Sequence, residues 1–472
     1  MSTVLQSQSP ADVVARLVAR ARAAQRIVAR YTQAQVDDMV VAAGWAIMEP
    51  TRNRTLAETA VRDTGLGSVA DKVTKNHRKT LGLLRDLKGA KSVGVVAEHP
   101  ALGLTEIARP VGVVGAVVPS TNPGATPANN TINALKGANA IILAPSPKGH
   151  STCELLVSYI HAELARVGAP TDLVQTLPAP VSKAASEAMM RQVDLVVVTG
   201  SQANVRAGYS SGTPALGVGA GNVVAIVDDS ADVAAAAEKV MRSKTFDLAT
   251  SCSSENALVI HASVYDRMVA ALQACGAALL DGREKQALQK LMFPDGKLGS
   301  TATAQPVARI CKLAGLDRPA LAQSRCLLVE ETGAGRDHPF SGEKLSPVLT
   351  LYRARDFADA FDITQRIYAF QGNGHSVGIH SNNARSIERL GHEMTVCRVI
   401  VNQAHAIANG GSFDNGLPFS LSMGCGTWGR NSFSENLNYR HFLNTTRIVR
   451  AIAPNEPSLD AIFGDYRARF GA

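Results

Sequence analysis

The sequence predicts an α/β protein built as two parallel-sheet lobes, and three observations carry that expectation. Its 472 residues exceed what one hydrophobic core supports, since single cores stop growing near roughly 250–300 residues. Its 39 glycines and 5% aromatic content suit tight strand-to-helix turns better than an all-β sandwich. Finally, short apolar runs repeatedly end in Gly, Pro, Ser or Asn and lead into helical segments, the pattern of βαβ units.

Taken in order, residues 11–31 carry Arg16, Arg20, Arg22, Arg26 and Arg30 on an amphipathic pattern. Asp12 and the pair Asp37-Asp38 favour an ordinary surface helix over a transit peptide. A strand at 111–119 leads through STNPGATPANN to a helix at 131–136. Another at 140–144 leads through PSPKGH to a helix at 151–167, and a third at 194–198 leads through TGS to a helix at 202–210. The run at 223–227 follows a glycine cluster. A second series begins after Asp228, with helices at 233–243 and 262–279 and strands at 257–260, 326–329 and 348–352. From Ile400 the chain reads as loop, with a last strand within 441–452. In parallel sheets ligands sit beyond the carboxyl ends of the strands, so the loops just quoted are the candidate binding surface.

Charge and composition exclude several functions. No apolar run approaches the roughly 18 residues of a membrane span, and residues 1–10 lack the order of a secretory signal. The net charge of +8 is dispersed, without a basic block or interleaved aromatics, which argues against nucleic acid and for steering of small anions. Seven cysteines at wide spacing, with no CxxC pair, argue against disulfides or structural zinc and for a reducing cytoplasm.

Chemistry concentrates in Thr250-Ser251-Cys252-Ser253-Ser254-Glu255-Asn256. A cysteine among small polar residues, between a helix and an apolar strand, is placed to be accessible; nearby backbone amides are expected to lower its pKa. Composition alone gives Cys252 no advantage over the other six cysteines. Its surroundings do. PSTNP (119–123), VTGSQANVRAGYSSGTPALGVGAGN (198–222), SCSSEN (251–256), EKLSPVL (343–349), GNGHSVGIHS (372–381) and GCGTWGRNSFSEN (424–436) occur in one order. Over residues 11–452 the chain thereby resembles the acylating branch of the aldehyde dehydrogenase superfamily.

That resemblance implies an aldehyde dehydrogenase-like fold, with two Rossmann-like lobes and an oligomerisation extension. It implies a cofactor-binding domain over 1–228, with an oligomerisation strand near 104–119, and a catalytic domain over 229–425. Residues 426–472 would return to the cofactor domain and the oligomer interface of a homodimer or homotetramer. Cys252 matches the nucleophile, and Asn122 matches the amide that holds the oxyanion with the nucleophile's own N–H. His375 matches a histidine of the acylating branch, read either as catalytic or as a structural hydrogen-bonder. Glu343 matches the carboxylate that binds the nicotinamide ribose. Hydrolytic relatives carry a glutamate to activate water where this chain has Gly217. The thioester on Cys252 would therefore await coenzyme A, the second substrate.

No GxGxxG opens a helix after a strand, so the dinucleotide would bind in the superfamily's modified way. Ser120, Ser146, Lys148, Thr199, Gly200 and Ser201 are the loop residues assigned to it. The loop holding Ser146, Lys148 and His150 has no acid before Glu154, which favours NADP and leaves NAD possible. Arg430 stands where acylating enzymes for plain acetaldehyde commonly carry glycine. Relatives handling succinate semialdehyde or sulfoacetaldehyde share the arginine, and a guanidinium suits either terminal anion. A contact to coenzyme A phosphates or a structural ion pair are competing roles for it. The overall likeness is greatest to members acting on sulfoacetaldehyde, with succinate semialdehyde as the alternative. A non-catalytic scaffold relative is disfavoured by the joint presence of Cys252, Asn122 and Glu343. The histidines lack metal-ligand spacing, and the chemistry needs no metal.

Overall fold

The computed structural model describes residues 9–471. Four helices open the chain: α1 (Pro10–Val28), α2 (Gln33–Met48), α3 (Pro50–Thr64) and α4 (Val69–Leu87). Ser9, Thr32 and Ser68 cap α1, α2 and α4 by accepting a first-turn N–H. Then β1 (Gly94–His99) and β2 (Leu104–Pro110) form an antiparallel hairpin.

The first lobe is a five-stranded parallel sheet. Its strands are β3 (Val113–Val118), β4 (Ala140–Pro145), β5 (Val174–Thr176), β6 (Leu195–Thr199) and β7 (Ala215–Val218), in spatial order β5-β4-β3-β6-β7. Helices α5 (Ala125–Lys136), α6 (His150–Arg166), α7 (Lys183–Gln192) and α8 (Gln202–Tyr209) connect them. Both faces are covered, so β3 and β4 are buried at every position. Every residue of α5 is buried as well.

The second lobe is a seven-stranded parallel sheet of β8 (Val223–Val227), β9 (Glu255–His261), β10 (Ala277–Leu279), β11 (Cys326–Glu330), β12 (Val348–Ala354), β13 (Val377–His380) and β14 (Val399–Val401). Their order is β10-β11-β12-β9-β8-β13-β14. Helix α9 (Val233–Thr245) packs on it. β8 was expected before the lobe boundary at Asp228, but it pairs with β9 and β13. The crossing between lobes is therefore the glycine-rich stretch at 219–222, where Gly219 and Gly221 let the chain run closely between two sheets. The expected helix at 262–279 is also shorter. It ends at Ala274, and Gly276 turns with φ +94 into β10.

The last strand, β15 (Leu443–Val449), pairs antiparallel with β2 across the register Leu443↔Pro110 to Val449↔Leu104. Beyond it a helix, Leu459–Phe470, has no buried residue. Among the described residues no helix is long and apolar enough to cross a membrane, and no three His, Cys, Asp or Glu side chains gather to hold a metal. All seven cysteines are unpaired.

Candidate active site

A cavity of about 710 Å³ opens between the lobes. The first lobe contributes the carboxyl ends of its strands: Ser120 and Asn122 after β3, Ser146 after β4, Thr199, Gly200 and Ser201 after β6, and Gly219 to Gly221 after β7. The second lobe contributes Cys252 from the turn before β9 and Glu343 from the segment before β12. β9 and β12 are adjacent, which puts these two distant residues at neighbouring strand ends.

The nucleophile loop is fixed from several sides. Ser254 donates its N–H to the Ser251 carbonyl at 3.0 Å, and Asn409 donates Nδ2–H to Ser253 Oγ at 2.9 Å. The His405 ring meets the Ser253 carbonyl at 2.9 Å. Glu255, buried at the start of β9, accepts the Ser243 hydroxyl and the His405 N–H. Just upstream, Asp247, Leu248 and Ala249 are left-handed, with φ of 50, 51 and 59. The Cys252 N–H is spent on no backbone carbonyl among the described residues. Burial pushes the Cys252 thiol up to about 12, with Glu343 and Cys425 adding to the rise. The direction is opposite to the expectation that nearby amides would lower it.

Asn122 sits where β3 gives way to α5, and its carbonyl accepts the Thr126 N–H at 3.3 Å. Its side-chain oxygen accepts a hydrogen bond from Lys75 Nζ at 2.8 Å. An ammonium only donates, so the amide oxygen is the atom turned toward Lys75; of the two Nδ2 hydrogens one meets Thr121 Oγ1 at 3.5 Å and the other is left for the cavity that Asn122 lines. Sequence reasoning missed Lys75. The one available signal was the helical spacing of Lys72, Lys75 and Lys79, which places all three on one face of α4.

The cavity also fits a dinucleotide. The Ser146 hydroxyl is buried in its wall without a partner among the described residues. The Glu343 carboxylate makes no hydrogen bond among the described residues and is pushed up to about 8 by burial, against the pull of Lys244 and Lys344. Ser201 caps α8 and leads into its N-terminus, where free N–H groups suit a diphosphate. The Thr199 hydroxyl is engaged with Ser422 at 2.6 Å. Lys148 is exposed and outside the lining, whereas Lys183 is part of it.

Two other assigned residues lie outside the cavity lining. Arg430 is exposed, in a left-handed turn with φ 57. His375 is fully buried: Nδ1 meets Ser376 Oγ at 2.8 Å and Nε2 has no partner among the described residues. Burial, with Arg398 and His405 adding, holds it well below the usual imidazole range, so it is neutral. Gly217 faces α8, and a β-carbon there would come within 2.7 Å of Val205 and 2.9 Å of the Tyr209 ring. Gly217 is not among the residues lining the cavity, so a side chain there would point at α8 and not at Cys252.

A nucleotide-sized cleft leading to a cysteine between two parallel-sheet lobes defines an oxidoreductase that works through a nucleophilic thiol. The profile of the aldehyde dehydrogenase family matches residues 3–314. The sulfoacetaldehyde dehydrogenase (acylating) of Cupriavidus necator is 63% identical over 98% of this chain and 94% of its own. An acetylating aldehyde dehydrogenase from Geobacillus thermoglucosidasius superposes with a TM-score of 0.91 at 33% identity, covering 95% of this chain and 98% of that one. A propionaldehyde dehydrogenase from Rhodopseudomonas palustris, solved with bound CoA and an acylated cysteine, superposes with a TM-score of 0.82 at 25% identity, covering 93% and 97%. This chain belongs to the aldehyde dehydrogenase family, in its acylating branch.

Proposed function

We propose that this enzyme interconverts sulfoacetaldehyde, coenzyme A and NADP+ with sulfoacetyl-CoA and NADPH. The observation that carries the reading is the 63% identity, over nearly the whole chain, to a protein named for that reaction. In the oxidative direction Cys252 gives its thiol proton to solvent water, the ionised sulfur bonds to the aldehyde carbon, and the carbonyl electron pair moves to oxygen. Asn122 Nδ2–H and the Cys252 N–H hold that oxyanion; one such donor contributes about 3–4 kcal/mol. When bound, the nicotinamide supplies the two-electron acceptor. Glu343 would hold its ribose, and Ser120, Ser146 and the Thr199–Ser201 loop would hold the rest of the dinucleotide. Cys252 then carries a thioester. The coenzyme A sulfur takes the acyl carbon, and Cys252 leaves as thiolate.

His375 enters as acceptor of the coenzyme A thiol proton through its unpartnered Nε2. Arg430 enters as a partner for the anionic end of the aldehyde. Exposed Ile448 and Val449 on β15, and Ile462, Phe463 and Tyr466 beyond it, support a homodimer or homotetramer. Unpaired cysteines fit the cytoplasm.

The test is nicotinamide turnover with acetyl-, succinyl- and sulfoacetyl-CoA, each with NADPH and NADH. Sulfoacetyl-CoA with NADPH is expected to give the highest kcat/KM. A preference for succinyl-CoA overturns the sulfonate, and equal use of NADH overturns NADP. Aldehyde oxidation at full rate without coenzyme A overturns the acyl transfer.

A further inference from the structure

Lys75 projects from α4 into the wall between the oxyanion amide and the nucleophile loop, and it is buried. Its ammonium has three hydrogens and three acceptors: Asn122 Oδ1 at 2.8 Å, Asp247 Oδ2 at 2.5 Å and Thr250 Oγ1 at 3.0 Å. One of these belongs to the first lobe and two to the loop that carries Cys252. Asp247 is also buried; it accepts Lys72 Nζ at 3.1 Å, the Thr250 hydroxyl at 2.7 Å and the Ser68 N–H at 2.8 Å. No atom of this knot is left to rotate freely.

We infer that Lys75 is a positioning residue for the reaction: it fixes the Asn122 amide with Nδ2 facing the aldehyde oxygen and sets the distance between that donor and Cys252. This rests on the oxyanion reading of Asn122. An amide whose oxygen is held by a cation is polarised, and its N–H groups become stronger donors. Without Lys75 the amide can turn over, presenting an acceptor to a developing anion. The benefit arises as charge develops on oxygen, so it belongs in kcat rather than in ground-state binding.

The experiment is a double-mutant cycle on the full-length enzyme, read as the pre-steady-state burst of NADPH with sulfoacetaldehyde and, as a second probe, acetaldehyde. Lys75→Met is expected to slow the burst about 10- to 100-fold, with KM for NADP and coenzyme A within about twofold. In an Asn122→Ala background the same substitution is expected to cost less than about threefold. Lys72→Met strips the same Asp247 of a buried partner and frees the Thr121 carbonyl, but removes no bond to the Asn122 side chain; it is expected to cost stability but to keep the burst within about threefold. Losses at Lys75 and Asn122 that multiply overturn the inference, as does a Lys72→Met defect as deep as that of Lys75→Met. If Asn122→Ala alone leaves the burst unchanged, the oxyanion reading itself fails. Where the methionine variant does not fold, Lys75→Arg, which keeps the charge but not the reach, carries the same cycle.

Discussion

Gly221 lies so close against Cys252 that a β-carbon at 221 would overlap the Cys252 carbonyl oxygen and stand 2.9 Å from its Cβ. The obstructing atoms are mainly backbone, which cannot swing aside as a flexible side chain can. Gly221→Ala must therefore shift the nucleophile loop, and a displacement of about 1 Å can cost on the order of 100-fold in rate. The expected result is a kcat loss of that size with a nearly unchanged circular dichroism spectrum. Retention of more than a third of wild-type kcat would show that the loop tolerates the shift.

Alkylation should report the resting state of the nucleophile. With its thiol pushed up to about 12, Cys252 is protonated throughout pH 6–9, and its thiolate fraction rises about tenfold per pH unit there. Iodoacetamide inactivation without cofactor is expected to accelerate by that factor, with no plateau. A plateau near neutrality would mean that the free enzyme already holds a thiolate.

The strands buried on both faces were legible because β3, β4 and β8 are uninterrupted apolar runs bounded by turn residues. β5, β10 and β14 are three residues each, too short for any period to register. α5 begins at Ala125, six residues before the expected start, because Pro127 in its first turn reads as loop although its missing N–H costs nothing there. Cys252, Asn122 and Glu343 were found through motif order, and the structure brings them to one cavity. Lys75 and Asp247 were missed because charged residues are ordinarily solvated; only tertiary pairing reveals why they are buried. Lys148 was chosen by its loop, but side-chain direction places it outside.

Glu343 should act on the nicotinamide cofactor and not on coenzyme A. Its side chain lines the cavity and makes no hydrogen bond among the described residues; ionised, it offers two acceptor oxygens to vicinal ribose hydroxyls. Glu343→Ala is expected to weaken NADPH binding at least tenfold by fluorescence titration, which is about 1.4 kcal/mol. Glu343→Gln, which retains one acceptor, should fall between. An unaltered NADPH affinity in Glu343→Ala would remove this residue from the cofactor site.

His375 separates the two halves of the reaction. Its ring is buried and neutral, with Nδ1 against Ser376 Oγ and Nε2 unpartnered among the described residues; in the base role Nδ1 carries the hydrogen and Nε2 receives the thiol proton. His375→Asn is therefore expected to leave the NADPH burst within about twofold and to slow acyl transfer to coenzyme A about 10²–10⁴-fold, the range for a general base. Stopped-flow separates the two phases. A burst lost in parallel with turnover would make the residue structural.

Asp247 bears the stability of the loop it precedes. Burial pushes its carboxyl up, but Lys75 and Lys72, with the Ser68 N–H, outweigh this and hold it below the usual carboxylate range. A depressed folded-state pKa contributes stability that is fully present above the unfolded value, near 3.9, and is lost as pH falls through the folded value. Asp247→Asn leaves two buried ammonium groups without their counter-ion, a change that costs about 3–5 kcal/mol. It also slackens the anchor on three successive left-handed residues, whose conformation disfavours any residue but glycine. Denaturant midpoints at pH 7 are expected to fall accordingly, and the gap between variant and parent should narrow at pH 3 and below. A gap independent of pH would assign the loss to the altered turn alone, because an uncharged contribution does not titrate.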